Sequence, residues 1–213
     1  MAPHKNGTVE RRVVLSGALA GIAVSVAGCS SSDDAEQASG QPSDTETVEA
    51  PEAPAVGGFG QLVDVDLAIE ELPAEIAAGN GFAYRPEARA WLVAYPAEHV
   101  EKAKELYPEA LHSSLDNGFL ALFQKCPHLG CRVPECNLSQ KFECPCHGSQ
   151  YSQTGEHVAG PSPRGMDLFA TSVVDGALFI DTETVYEGLP IGTNITGWEP
   201  TEPGQSCVGD LGN

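Results

Sequence analysis

Two hexapeptides hold most of the chemistry this sequence can offer. Cys126-Pro127-His128-Leu129-Gly130-Cys131 and Cys144-Pro145-Cys146-His147-Gly148-Ser149 each contain a Cys–His pair and one further Cys, and 12 residues separate Cys131 from Cys144. Two thiolates and two imidazoles on facing loops suit an iron–sulfur cluster in which histidines replace cysteines on one iron. A [2Fe–2S] rhomb has two irons side by side, so its four ligands must arrive as two pairs. If each loop gives one Cys and one His, one iron can take both thiolates and the other both imidazoles. One residue separates Cys126 from His128 and two separate Cys144 from His147, and either spacing lets a tight turn aim both side chains at one site. Gly130 and Gly148 supply backbone freedom for such turns and let amide N–H groups approach cluster sulfides. The chemistry implied is electron transfer. Structural zinc is the bland alternative, but its ligands are usually spaced C-x2–4-C and H-x3–5-H. A metal-free disulfide knot is the other.

The pattern C-P-H-L-G-C…C-P-C-H-G-S-Q-Y resembles the two boxes of Rieske proteins, specifically the disulfide-containing kind of quinol–cytochrome c reductase and its photosynthetic relative. The resemblance implies that Cys126 and Cys144 bind one iron of a [2Fe–2S] cluster and that His128 and His147 bind the other. It makes Cys131 and Cys146 a disulfide tying the loops together. It gives the hydroxyls of Ser149 and Tyr151 to a bridging sulfide and a ligand thiolate, and makes Gly160-Pro161-Ser162-Pro163 a loop covering the cluster from a third side. Low-potential Rieske-type ferredoxins and oxygenase domains share the ligand boxes but lack the extra Cys pair and the hydroxyls. The similarity covers residues 118–181.

An oxidised cluster with two thiolates and neutral histidines is formally uncharged, so reduction makes it negative. Donors aimed at its sulfurs therefore favour the reduced form and raise the potential. The upper part of the Rieske range of about −150 to +300 mV is expected. Each coordinated ring keeps one N–H whose acidity follows the charge of the iron beside it, which allows an electron and a proton to be taken up together. His4, His99, His112 and His157 read as ordinary surface histidines.

Residues 1–28 read as an export signal, in which Lys5, Arg11 and Arg12 precede a 14-residue apolar run from Val13 to Val26. That run is short for a membrane-spanning helix, which needs about 20 residues. Arg11-Arg12-Val13-Val14-Leu15 resembles a twin-arginine signal. Val26-Ala27-Gly28-Cys29 resembles a prokaryotic lipobox, with Cys29 as the lipidated first residue; an uncleaved transmembrane anchor is the alternative. Residues 30–56 contain seven acids, no bases and three prolines, so residues 29–56 are expected to be a disordered acidic tether. A flexible chain of that length spans about 30 Å.

The chain has 11 Lys+Arg against 30 Asp+Glu, a formal charge of −19. Loss of residues 1–28 would remove Lys5, Arg11, Arg12 and Glu10, leaving eight bases against 29 acids, or −21. This argues against nucleic acid and anionic lipid as direct partners. It favours a basic redox partner or reflects a salt-rich habitat.

Residues 57–213 suffice for one domain. Strands are expected at 61–66, 90–95, 119–124, 141–144, 167–174 and 177–181, with an Asp175-Gly176 hairpin turn. One helix is expected at 98–107, between Pro96 and Pro108. This pattern fits an all-β antiparallel sandwich with cluster loops at one end and one short helix, which is also the fold the resemblance implies. No nucleotide loop or Ser-His-Asp arrangement is evident, so no side chain is assigned a catalytic role. Cysteine arithmetic leaves Cys136 and Cys207, either as a second bridge pinning the C-terminal tail beside the first cluster loop or as two free thiols.

The resulting expectation is a redox subunit rather than an enzyme by itself. It would be the iron–sulfur subunit of a quinol–cytochrome c reductase-like complex, on the extracytoplasmic side of a prokaryotic membrane. A b-type cytochrome and quinol would stand on its donor side, and a c-type cytochrome or copper protein on its acceptor side. The alternative is a lone lipoprotein carrier or the small subunit of an extracytoplasmic molybdenum oxidase.

Overall fold

The computed structural model describes residues 56–57, 60–200 and 204–209. The export signal, Cys29 and nearly all of the expected tether lie outside the described residues. Only Val56, the tether's last expected residue, is seen, and it belongs to a strand.

Eleven strands and three short helices make up the described part. They are β1 (Val56–Gly57), β2 (Leu62–Ala68), α1 (Leu72–Ala78), β3 (Ala83–Arg85), β4 (Ala90–Ala94), α2 (Val100–Lys104), α3 (His112–Asp116), β5 (Phe119–Phe123), β6 (Glu135–Cys136), β7 (Lys141–Glu143), β8 (Gln150–Tyr151), β9 (His157–Ala159), β10 (Leu168–Val174) and β11 (Ala177–Tyr186). Seven strands form one antiparallel sheet in the order β1-β11-β10-β5-β4-β3, with β2 also paired to β11. The sheet curls on itself. Val63, Val65 and Leu67 of β2 share a buried cluster with Ala83, Ala90 and Leu92 of β3 and β4 from the other edge. A register break between Phe169 and Ala170 accompanies the bend, as β-bulges do. The fold is thus all-β and antiparallel, with one curled sheet supplying both walls of the core.

Strands β4 and β5 show why some strands read as unbroken apolar runs. Ala90, Leu92, Phe119 and Ala121 face the inner cluster, while Trp91, Val93, Leu120 and Leu122 face a second one. A strand buried on both faces loses the alternation that half-exposed β2 keeps. The second cluster receives Phe142 and Tyr151 from a smaller four-stranded sheet, β6-β7-β8-β9. Phe142 packs against Phe82 and Trp91 with centroids 4.8 and 5.6 Å apart. The Trp91 Nε1–H donates to the Val133 carbonyl at 3.1 Å. The small sheet therefore rests on the outer face of β4 and β5.

Three helices replace the single one expected. The segment predicted at 98–107 is a 3-10 turn, Ala97–His99, followed by the five-residue α2. Beyond it the chain tightens, with Leu106 N–H on Ala103 O at 3.0 Å, and Pro108 follows. Helix α1 was missed because seven residues show only one apolar repeat, Leu72 and Ile76. The Arg85 guanidinium pins it to β3 through Glu75 and holds that carboxyl below its usual range. Helix α3 has a loop-like composition, yet Ser114 and Leu115 are buried and Ser114 shares a 2.7 Å hydrogen bond with Thr171 on β10. The Asp175-Gly176 turn forms with φ of 51° and 84°, the positive pair that a type I′ hairpin needs. Among the described residues, no helix is long and apolar enough to cross a membrane.

Candidate metal centre

Both boxes fold into the same kind of loop. The Cys126 N–H donates to Cys131 O at 2.7 Å, and Gly130 N–H returns to Cys126 O at 2.9 Å. In the second box Cys144 N–H donates to Ser149 O at 2.8 Å, and Gly148 N–H returns to Cys144 O at 3.0 Å. Each is a six-residue turn closed by its first and last residues. Gly130 and Gly148 take φ of 85° and 73° at its fifth position, where a side chain would be strained. The first loop is also closed at its neck by an isolated Lys125–Arg132 bridge, and the second joins β7 to β8.

The loops are joined covalently. Cys131 and Cys146 form a disulfide with Cα atoms 6.6 Å apart. Cys126 and Cys144 are free thiols beneath it, 2 % and 1 % exposed. The Cys144 Sγ lies within 4.8 Å of both disulfide sulfurs. His128 and His147 meet edge to face, with ring centroids 4.9 Å apart. His128 is half-buried and His147 is exposed. The structure therefore sets the two candidate thiols side by side and the two candidate imidazoles side by side, with the sulfurs buried and the rings nearer the surface.

Around the thiols lie the two hydroxyls. Tyr151 Oη is 3.2 Å from Cys126 Sγ. Burial, and then the nearby Cys126, push the Tyr151 hydroxyl far above its ordinary pKa, so it stays protonated and able to donate. Ser149 Oγ accepts the Ser162 N–H at 3.1 Å and also shares a hydrogen bond with the Tyr151 hydroxyl. The 160–163 segment is thereby held against the second box. At Gly160 (φ 89°) an added Cβ would lie 2.5 Å from Ser149 Cα, so only glycine permits this approach. His157 and His112 are satisfied by carbonyls, of Gly160 and Tyr107, at 3.1 Å each.

The donor set can be tested against an iron–sulfur group by its charge. Burial pushes the Cys144 thiol up, and the adjacent Cys126 adds to this, while the backbone at Cys146 and His147 opposes it. A buried thiol shifted in this direction is a poor anion unless a cation joins it. A [2Fe–2S] cluster would supply that positive charge, with Cys126 and Cys144 as its thiolate donors and His128 and His147 as its imidazole donors. The residues fit a [2Fe–2S] cluster.

The second cysteine pair is also bonded. Cys136 on β6 and Cys207 form a disulfide with Cα atoms 5.8 Å apart. Sequence reasoning missed its neighbour Glu143, a buried carboxylate on β7. Glu143 accepts hydrogen bonds from Ser139 Oγ, Ser206 Oγ and Cys207 N–H, each at 2.7 Å, and from Val208 N–H at 3.1 Å. The only local signal was an acid inside a strand, directly before a candidate ligand.

Comparison with known proteins indicates the same cofactor. The profile of the Rieske [2Fe-2S] domain matches residues 91–172. The cytochrome b6-f complex iron-sulfur subunit of Synechococcus elongatus is 51% identical over 61 residues, 28% of this chain. That match spans only 34% of the relative's own length. The corresponding subunit of Synechococcus sp. strain WH7803 is 32% identical over 122 residues, covering 53% of this chain and 68% of that protein. Among solved structures, the plasma membrane Rieske protein PetC3 from Synechocystis PCC 6803 aligns over 60% of this chain and 98% of that one, at 21% identity and a TM-score of 0.34.

Proposed function

This chain belongs to the Rieske [2Fe–2S] family, and from that premise we propose that it is the electron-transferring subunit of a quinol–cytochrome c reductase-like complex. Quinol would bind against its histidines beside a b-type cytochrome, and a c-type cytochrome or copper protein would receive the electron. The observation that carries this reading is the ordering of the four donors by depth, with buried thiols below and imidazoles at the surface. Cys126 and Cys144 would hold one iron, and His128 and His147 would hold the other through one ring nitrogen each. A bound cluster supplies acceptance and release of a single electron.

The chain's own residues do the rest. The second ring nitrogen of His128 and of His147 holds a proton at the edge a hydroquinone hydroxyl can reach. The Cys131–Cys146 bridge keeps the two rings in register and excludes water from the thiol side. Tyr151 and Ser149 donate towards sulfur, which favours the form with more negative charge there. Tyr151→Phe and Ser149→Ala are each expected to lower the midpoint potential by roughly 60 mV, a tenfold change in a one-electron equilibrium. A redox titration of each variant checks this, and an unchanged potential contradicts the assigned donors.

The domain works outside the cytoplasm, where both disulfides persist. The twin-arginine-like segment and Cys29 deliver and anchor it, by lipid or by an uncleaved helix, and residues 29–56 give the cluster domain reach. The lipobox and that acidic stretch also support the second reading, a lone lipoprotein carrier or the small subunit of a molybdenum oxidase. Purification from solubilised membranes separates the two. Retention of a b-type cytochrome and reduction by quinol support the complex, whereas a free monomer that quinol does not reduce overturns it.

A further inference from the structure

Positive charge is scarce in this protein, and the structure gathers half of the domain's share in one place. Eight of the 11 Lys and Arg residues lie beyond residue 56, and four of those eight, Arg89, Lys125, Arg132 and Arg164, line one cleft of about 570 Å³. His128 lines the same cleft, and Leu129, 71 % exposed, stands at its rim.

Two further observations separate this cleft from a chance cluster. Lys125 and Arg132 are directly opposed across the antiparallel bridge at the neck of the first loop, and like charges in opposed positions repel. Among the described residues, no carboxylate forms a salt bridge with either of them. Arg132 has an aromatic partner, and the Lys125 side chain lies against its own loop. The Arg132 guanidinium lies 4.8 Å from the centre of the Tyr84 ring, whose hydroxyl donates to Gln124 Oε1 at 2.6 Å. The Lys125 stem crosses the loop at Gly130, where an added Cβ would lie 2.7 Å from Lys125 Cε. By contrast, Arg164 is answered within the chain by Asp167 at 2.8 Å and Glu187 at 3.4 Å.

We propose that this cleft docks an acidic surface patch of the protein that exchanges electrons through the His128 side of the centre. The inference rests on the electron-transfer reading above and names the charge of the partner at that face. It also reverses an expectation from composition, since a net charge of −19 alone favours a basic partner. At an ionic strength of about 0.15 M, charges further than roughly 8 Å are screened. A partner seated over His128 therefore meets the local cleft, not the distant carboxylates.

The test uses the full-length, cluster-loaded protein and the charge-reversal variant Lys125→Glu/Arg132→Glu. Its probes are one acidic and one basic c-type cytochrome of matched potential. Reversal is expected to slow electron transfer to the acidic cytochrome about tenfold and to speed transfer to the basic one. Lys125→Arg/Arg132→Lys should keep the wild-type rates. Iron content and electron paramagnetic resonance (EPR) spectrum must match wild type in both variants, which excludes misfolding. Because the two cytochromes share one potential, any shift in the variant's own potential cancels in the ratio of the two rates. An unchanged ratio of the two rates overturns the proposal. So does a wild-type rate with the acidic cytochrome that rises as salt is added above about 0.15 M, the result expected if the chain's own acidic 30–56 stretch fills the cleft. If neither cytochrome is reduced, the electron-transfer reading falls. Calorimetry then decides docking alone, and reversal must weaken binding of the acidic cytochrome about tenfold.

Discussion

Replacing Cys126 or Cys144 by alanine is expected to remove the cluster outright, from two irons per chain to none, while the domain stays folded. The reason lies in where the candidate ligands sit. Both thiols are buried at the floor of the loops, so neither water nor a surface side chain can take the vacant position. The curled sheet has its own apolar core, which contains neither cysteine, and both disulfides remain. Truncating one small buried side chain should cost about 1–2 kcal/mol, well inside the stability of a domain this size. Alanine at His128 or His147 should be milder, because at the surface a solvent ligand can stand in. Iron and sulfide content, read beside circular dichroism, checks the ranking. A cysteine variant that keeps two irons would contradict the assignment.

The double variant Cys136→Ala/Cys207→Ala is expected to lose about 4 kcal/mol, from the loop-closure entropy of a 71-residue separation. The Cys131–Cys146 bridge, 15 residues apart, is worth about 3 kcal/mol on the same scale. A domain of this size then melts roughly 8–16 °C lower. Glu143 sharpens this expectation, because three of its four hydrogen bonds come from residues 206–208. Once the tail detaches, the Glu143 carboxyl keeps only Ser139, so the tail and this buried polar cluster fail together. Iron content should not fall, since the bridge ties the tail to β6 and touches none of the four candidate ligands. Thermal unfolding with and without the pair measures the effect. An unchanged melting temperature would mean that the bridge does not hold the tail.

The centre was far more legible in the sequence than the fold around it. Its donors lie within 22 residues, and their chemistry depends on residue type and short spacing, which a sequence displays directly. The Asp175-Gly176 turn and the apolar runs of β4 and β5 were legible for the same local reason. Helices α1 and α3 were not, because each owes its existence to a docking site on the sheet. Strands β6 and β8 are two residues long and exist only as rungs beside β7. The basic cleft was hidden more thoroughly. Arg89, the 125–132 neck and Arg164 come from three separated segments, and composition pointed to the opposite charge.

The central claim is that two cysteines and two histidines share one cluster, and nitrogen couplings in pulsed EPR of the reduced protein test it most directly. Two inequivalent histidine nitrogens are predicted in wild type, with one lost in His147→Cys and the iron content unchanged. A spectrum without nitrogen coupling, or a purified protein holding one zinc in place of two irons, would contradict the account.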